Sequence, residues 1–287
     1  MNRCMKSYTL KRKILHCIYH VFTLCFAVAM IYPLLWMIMG SFKDTAEIVQ
    51  NAGKLLPGTF QLRKYAEGWA GFGGITFATF FKNSFVIAGL ATVGAVISSS
   101  CIGYGFARCN FPTKGLWFSC MLISMMLPFQ VIMIPQYIMF SRMGWIGTYL
   151  PLILPSFFGG GFFIFLNIQF IKGIPKDLDE AAKIDGCSVY GIYFRIILPL
   201  IKPAIVTSAI FSFMWKWDDF LGALLFLKSP RQYPVAYALK MFADPTAGSD
   251  YGALFAMSTL SVVPIFLIFV TMQKYLVEGI ASSGIKG

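Results

Sequence analysis

Long unbroken apolar runs leave this chain few folds to choose from. They lie near residues 17–40, 83–106, 115–140, 149–171, 204–227 and 252–273, and about 20 helical residues cross a hydrocarbon core. A membrane β-barrel would instead show segments of about ten residues with alternating polarity. The fold expected is therefore all-α: a polytopic membrane protein of about six transmembrane helices. Composition agrees, with 57% hydrophobic and 13% charged residues, against about 45–50% and 25% in soluble domains. An ordinary soluble globule is excluded.

The net charge of +12 does not read as a nucleic-acid surface, because no basic face interleaved with aromatics stands outside the apolar runs. It reads as topology. The first sixteen residues carry Arg3, Lys6, Lys11, Arg12 and Lys13 and no acid, which places the N-terminus inside. The 107–114 turn, the 172–203 loop and the tail then also face the cytoplasm, and the inside holds 14 basic residues against 9 outside, with Lys216 in a span. The layout expected is a cytoplasmic segment 1–16, a membrane-spanning domain 17–273 and a cytoplasmic tail 274–287. Ala27-Val28-Ala29 mimics a signal-peptidase site, but cleavage there would strand half an apolar run, so the first span reads as uncleaved. Seven cysteines without a C-x-x-C pair form neither a metal site nor a disulfide framework. His16 and His20 sit where rings snorkel to the headgroups.

The most informative stretch is the loop from Ile171 to Pro203. Helix–helix connections are mostly two to eight residues, so a loop this long calls for a purpose. Pro175 can open a helix, the acids Asp177, Asp179 and Glu180 suit its positive end, and Gly186 can close it. Ser188 can cap a second helix running to Leu198, where Pro199 stops it. Leu178, Ala181, Ala182 and Asp185 are expected on one flat face, suited to a cytoplasmic partner.

Glu180-Ala181-Ala182, Gly186, Ile196 and Leu198-Pro199 stand at the spacing of the EAA loop, and the chain resembles the membrane subunits of bacterial ABC importers. Tyr32 to Trp36, Asn83-Ser84, Leu127-Pro128, Trp217-Asp218-Asp219-Phe220 and the ending from Gln273 are similar to the carbohydrate-uptake branch, the subunits like the maltose permease protein MalG. The resemblance implies a non-enzymatic permease working with a second homologous permease subunit, two copies of a cytoplasmic ABC ATPase that carries ATP and Mg, and an extracytoplasmic sugar-binding protein. It implies that Glu180, Ala181, Ala182, Asp185, Gly186, Leu198 and Pro199 form the ATPase-coupling element. It further suggests that Asp244, Pro245, Thr246 and Gly248 contact the binding protein and that Ser282 to Gly287 reach the ATPase interface. Asp218 departs from the family, where Asn is usual. No cofactor is expected in this chain: no G-x-x-x-x-G-K-[ST] is present, and Gly159-Gly160-Gly161 reads as packing or bending.

Polar residues inside spans are costly and candidate functional groups. Asn83, Gln130, Asn167, Trp215, Trp217, Asp218 and Asp219 are candidate lining for a translocation path, with aromatic rings for sugar faces and amides and carboxylates for hydroxyls. The bland alternative stays open: Lys216 neutralises a neighbouring Asp, and the amides bond across helices. A self-sufficient secondary transporter of a small polar solute is the competing class, disfavoured by the lack of an obvious repeat. A membrane enzyme is a third, disfavoured because adjacent carboxylates on a helix point about 100° apart.

Overall fold

The structure is a computed structural model that describes residues 2–243 and 250–284, with side chains described for 12–243 and 250–275. Its helices are α1 (Asn2–Gly40), α2 (Thr45–Gln50), α3 (Arg63–Ala70), α4 (Phe77–Arg108), α5 (Lys114–Met126), α6 (Phe129–Arg142), α7 (Leu150–Ile153) and α8 (Gly161–Gly173). They continue with α9 (Asp177–Ile184), α10 (Val189–Ile192), α11 (Leu198–Leu200), α12 (Lys202–Trp217), α13 (Phe220–Phe226), α14 (Val235–Phe242) and α15 (Tyr251–Gly284). Among the described residues there is no strand. In lipid this is the expected outcome, since a helix satisfies its backbone groups within its own segment.

Four stretches are long and apolar enough to cross a membrane: Arg12–Gly40, Phe77–Arg108, Leu150–Gly173 and Tyr251–Tyr275. Two bent pairs bring the number to six if each pair is one crossing. Where the sequence reads as one rod over 115–140, α5 and α6 meet at 104°. Pro128 is the cause: it disfavours helical backbone in the residue before it, and Leu127 is extended at φ −76°, ψ 119°. Likewise 204–227 is not one helix, because α12 ends at Trp217 and α13 begins after Asp219. The 149–171 run is interrupted as well. A 3-10 turn over Leu154–Phe158 leads to Gly159 at φ +90°, a conformation that a side chain would strain.

Two compact units are present. In the unit of residues 70–241 and 261–287, α4 is the central helix and packs on α8 and α12. Phe77, Phe80, Ile87, Ala88, Ala91 and Ala95 of α4 are buried, as are Ile164, Ile168 and Ile171 of α8 and Ala204 and Ile210 of α12. Alanines and serines at these seams let helices approach closely where lipid supplies no hydrophobic drive. The segment after Lys228 contains a 3-10 turn, Pro230–Gln232, and α14. Asp244 to Ser249, including the expected binding-protein contact, lie outside the described residues, as does the tail from Ile285.

In the unit of residues 1–69 and 242–260, a charged network lies beside buried Ile48, Ala253, Ala256 and Met257. Lys64 is buried, and its Nζ lies 3.1 Å from Asp44, 2.9 Å from Glu67 and 2.8 Å from Asp250. Asp44 also accepts from Gln61, and Asp250 accepts from Thr45 Oγ1 and the Ala253 amide. Gln61 and Lys64 hold Asp44 below the usual carboxylate range. Burial pushes Asp250 up, but Lys64 and the Ala253 amide more than reverse it. Burial pulls Lys64 down, and its contacts with Asp250, Glu67 and Asp44 raise it overall.

Depressed carboxylates contribute stability above their unfolded value, about pH 4, and lose it as pH falls through the folded one. A raised lysine contributes below its unfolded value, about 10.4, and loses that only at higher pH. The melting temperature in detergent is therefore expected to fall below about pH 4. Lys64→Met is expected to flatten that dependence and to destabilise the unit by roughly 1–3 kcal/mol, between an exposed and a fully buried pair.

Candidate functional site: the loop between α8 and α12

The loop is built by local chemistry. Asp177, Asp179 and Glu180 occupy the first turn of α9, where the helix dipole favours negative charge. At the other end Gly186 takes φ +76°. Its N–H donates to Lys183 O at 3.0 Å and the Cys187 N–H to Ala182 O at 2.8 Å, the two bonds of a Schellman stop. Ser188 then caps α10, its Oγ accepting from Gly191 N at 3.1 Å.

The second helix does not stop at Pro199 as expected. A π turn over Tyr193–Ile197 carries α10 into α11, and the chain bends by 75° only at Ile201. Leu198 N–H bonds Tyr193 O, five residues back. The turn is widened where Pro199 has no N–H to give.

The expected flat face is also revised. Ala182 points inward with Asp179, and both are buried. Leu178, Ala181 and Asp185 stay exposed, together with Glu180 and Ile184, the last at 87%. Ala181 and Ala182 are consecutive, hence about 100° apart, and only one of them faces the protein. Inward, Ala182 joins Tyr104, Ile171, Ile192, Tyr193, Ile197, Ile201 and Ala204 in one apolar cluster, with Leu198 packed against it. Pro199 is exposed.

Arg108, at the end of α4, and Asp179 read only as a topology marker and a helix-dipole acid in the sequence. Their side chains are 6% and 10% exposed, with Arg108 Nε 2.8 Å from Asp179 Oδ2. A charge at the rim of an apolar run was the available signal. Nothing local names its partner.

The candidates for a translocation path do not converge. Asn83 is buried and donates to Arg231 O at 2.9 Å and Tyr233 O at 3.0 Å, and Ser84 Oγ accepts from Val235 N. Asn167 is fully buried and donates to Phe163 O at 2.8 Å, while its Oδ1 has no partner. Trp217 is 2% exposed and donates to Ser261 O at 3.2 Å. Asp219 caps α13, accepting from Gly222 N at 2.8 Å, and Lys216 lies 3.7 Å from it. All four bond backbone groups, Asn83 and Trp217 in other segments and Asn167 and Asp219 close by in the chain. Gln130, Trp215 and Asp218 are exposed. Trp215 lies against Phe162, Phe163 and Phe211.

Long apolar helices, a capped two-helix loop packed under them and polar groups tied across their seams describe a membrane transport subunit. Residues 99–282 match the family of binding-protein-dependent transport system inner membrane components, and the chain belongs to that family. It is a multi-pass ABC permease subunit, not an ATPase. Over 93% of its length it is 35% identical to the probable ABC transporter permease protein YurM of Bacillus subtilis, 87% of which is covered. Over 90% of its length it is 32% identical to the arabinooligosaccharides transport system permease protein AraQ of Halalkalibacterium halodurans, 91% of which is covered. In fold it is similar to a chain of a bacterial ABC transporter involved in alginate import, with a TM-score of 0.80, 20% identity and coverage of 92% and 96% of the two chains.

Asp219→Ala is expected to cost about 1 kcal/mol through the lost cap and to lower the melting temperature of the purified protein. Asp218→Asn keeps the backbone bond by which Asp218 ends α12 and removes no side-chain cap, so it is expected to leave the melting temperature unchanged.

Proposed function

We propose that this chain forms the translocation path of a carbohydrate importer together with a second permease subunit, and that α9 couples it to a cytoplasmic ATPase present in two copies that binds ATP and Mg. An extracytoplasmic binding protein delivers the solute, and both termini face the cytoplasm. Similar permeases are named for arabinooligosaccharides, diacetylchitobiose and lactose, which supports an oligosaccharide as the cargo class.

One observation carries the reading. α9 is capped at its end, anchored inward by Ala182, and still presents Leu178, Ala181 and Ile184 outward beside Glu180. An apolar stripe outside the long spans matches helix-in-groove recognition, in which apolar anchors enter a cleft. Glu180 at its edge suits a basic residue of that cleft. Closure of the ATPase pair then moves α9, provided nucleotide favours one of two packings. In the path, Trp215 and its aromatic neighbours offer a stacking face, and Gln130 and Asp218 offer hydroxyl partners. Asn83, Asn167, Trp217 and Asp219 hold the helices that carry them. The segment through Asp244, Pro245, Thr246 and Gly248 is proposed to meet the binding protein.

Glu180→Lys and Gly186→Pro test the coupling role. Proline cannot adopt the positive φ of Gly186 and cannot donate its N–H to Lys183 O. In proteoliposomes holding the whole transporter, both variants are expected to insert normally, to lose uptake by at least about tenfold and to leave ATP hydrolysis independent of the binding protein. Normal uptake by either would refute the role.

A further inference from the structure

Ser100, Tyr104 and Arg108 stand at four-residue intervals on α4 and therefore share one face. Each of the three reaches the loop. Ser100 Oγ lies 2.9 Å from Tyr193 Oη. Tyr104 O–H donates to Val189 O at 3.1 Å, and its ring centroid is 5.1 Å from that of Tyr193. Arg108 Nη2 donates to Ile174 O at 2.7 Å, while its Nε holds Asp179 at 2.8 Å. Thus α4, which is not a chain neighbour of the loop, grips both of its helices.

We propose that this face of α4 is the joint through which displacement of the loop enters the helical core, with Arg108 and Asp179 as its positioning pair. The proposal rests on the reading of α9 as the ATPase-coupling helix. Covalently, α9 hangs between Ile174-Pro175-Lys176 on one side and Asp185-Gly186-Cys187-Ser188 on the other. Neither link is helical, so a push on α9 would be absorbed there unless something clamps it. Arg108 provides the clamp, binding the carbonyl of the first link and a side chain of the helix at once.

Burial makes the clamp firm. Separating the pair would leave two largely buried charges unpaired, which is strongly unfavourable. Asp179 Oδ1 and Arg108 Nε are both buried without a hydrogen bond, so the two are joined as an ion pair, and Arg108 is the one cation at the carboxylate among the described residues. Above the pair, the Tyr104 and Ser100 contacts fix the second helix to the same face. Loop and α4 then move as one body, and α4 carries the motion into its seams with α8 and α12.

The test uses the assembled transporter in proteoliposomes, reading solute uptake per ATP hydrolysed and the amount of complex recovered. Arg108→Met should lower uptake per ATP about tenfold, with basal hydrolysis retained. Arg108→Met combined with Asp179→Leu removes the orphaned charge and refills the space with apolar atoms, which buried pairs tolerate. It should restore assembly and bring uptake per ATP back to within about threefold. If Arg108→Met couples normally, or if the double variant couples no better than the single one or fails to assemble, the joint is refuted. A cysteine crosslink from Ile184→Cys to the ATPase separates the two readings. Its absence in an otherwise unaltered transporter refutes the coupling-helix reading. A crosslink together with normal coupling in Arg108→Met refutes the joint alone.

Discussion

The apolar cluster around Tyr104, Ile171, Ala182, Ile192 and Ile197 is the contact on which the remainder of this unit depends. It joins the end of α4, the end of α8, both loop helices and the start of α12. Burying these side chains fixes which face of α9 turns inward. That in turn decides which residues remain to meet a partner. Ala182 lies in the cluster and Ala181 does not, so a motif of two identical small residues divides into an anchor and a contact.

A second constraint comes from the backbone. A long apolar run in lipid must keep its hydrogen bonds within the segment, and prolines decide where that fails. Pro128 splits one expected span into α5 and α6, and the 75° bend at Ile201 sets the loop helix across α12. Pro33 and Pro264, by contrast, sit inside α1 and α15 without ending them. Breaks at Pro128, Gly159 and Asp218-Asp219 place irregular backbone among the apolar runs. Such backbone is tolerated where protein covers it or where it lines a cavity, and the exposed candidates Gln130 and Asp218 stand beside these breaks.

What was legible in the sequence is what local chemistry determines. The apolar runs gave the helices, and Gly186 and Ser188 gave the two-helix loop, because a left-handed glycine and a serine cap act within a few residues. Pro199 misled because its effect depends on the helix around it: a π turn absorbs the missing donor. The inward turn of Ala182, the pairing of Arg108 with Asp179 and the ties from Asn83 to Arg231 and Tyr233 join segments far apart in the chain. No local pattern encodes them. Asn83 and Trp217, read as possible path lining, satisfy backbone groups of other segments, and Asn167 satisfies one of its own helix. That is what a buried polar group must do unless water reaches it.

On the proposed reading, the loop between α8 and α12 and α4 form one rigid body that a cytoplasmic ATPase displaces. Spin labels at Ile184 on α9 and Ile97 on α4, both strongly exposed, in an otherwise cysteine-free chain, test it directly in the assembled transporter. The distance between them is expected to stay constant between the nucleotide-free and ATP-bound states, while each label moves relative to the second permease subunit. A change in the Ile184–Ile97 distance as large as either of those movements would contradict the account.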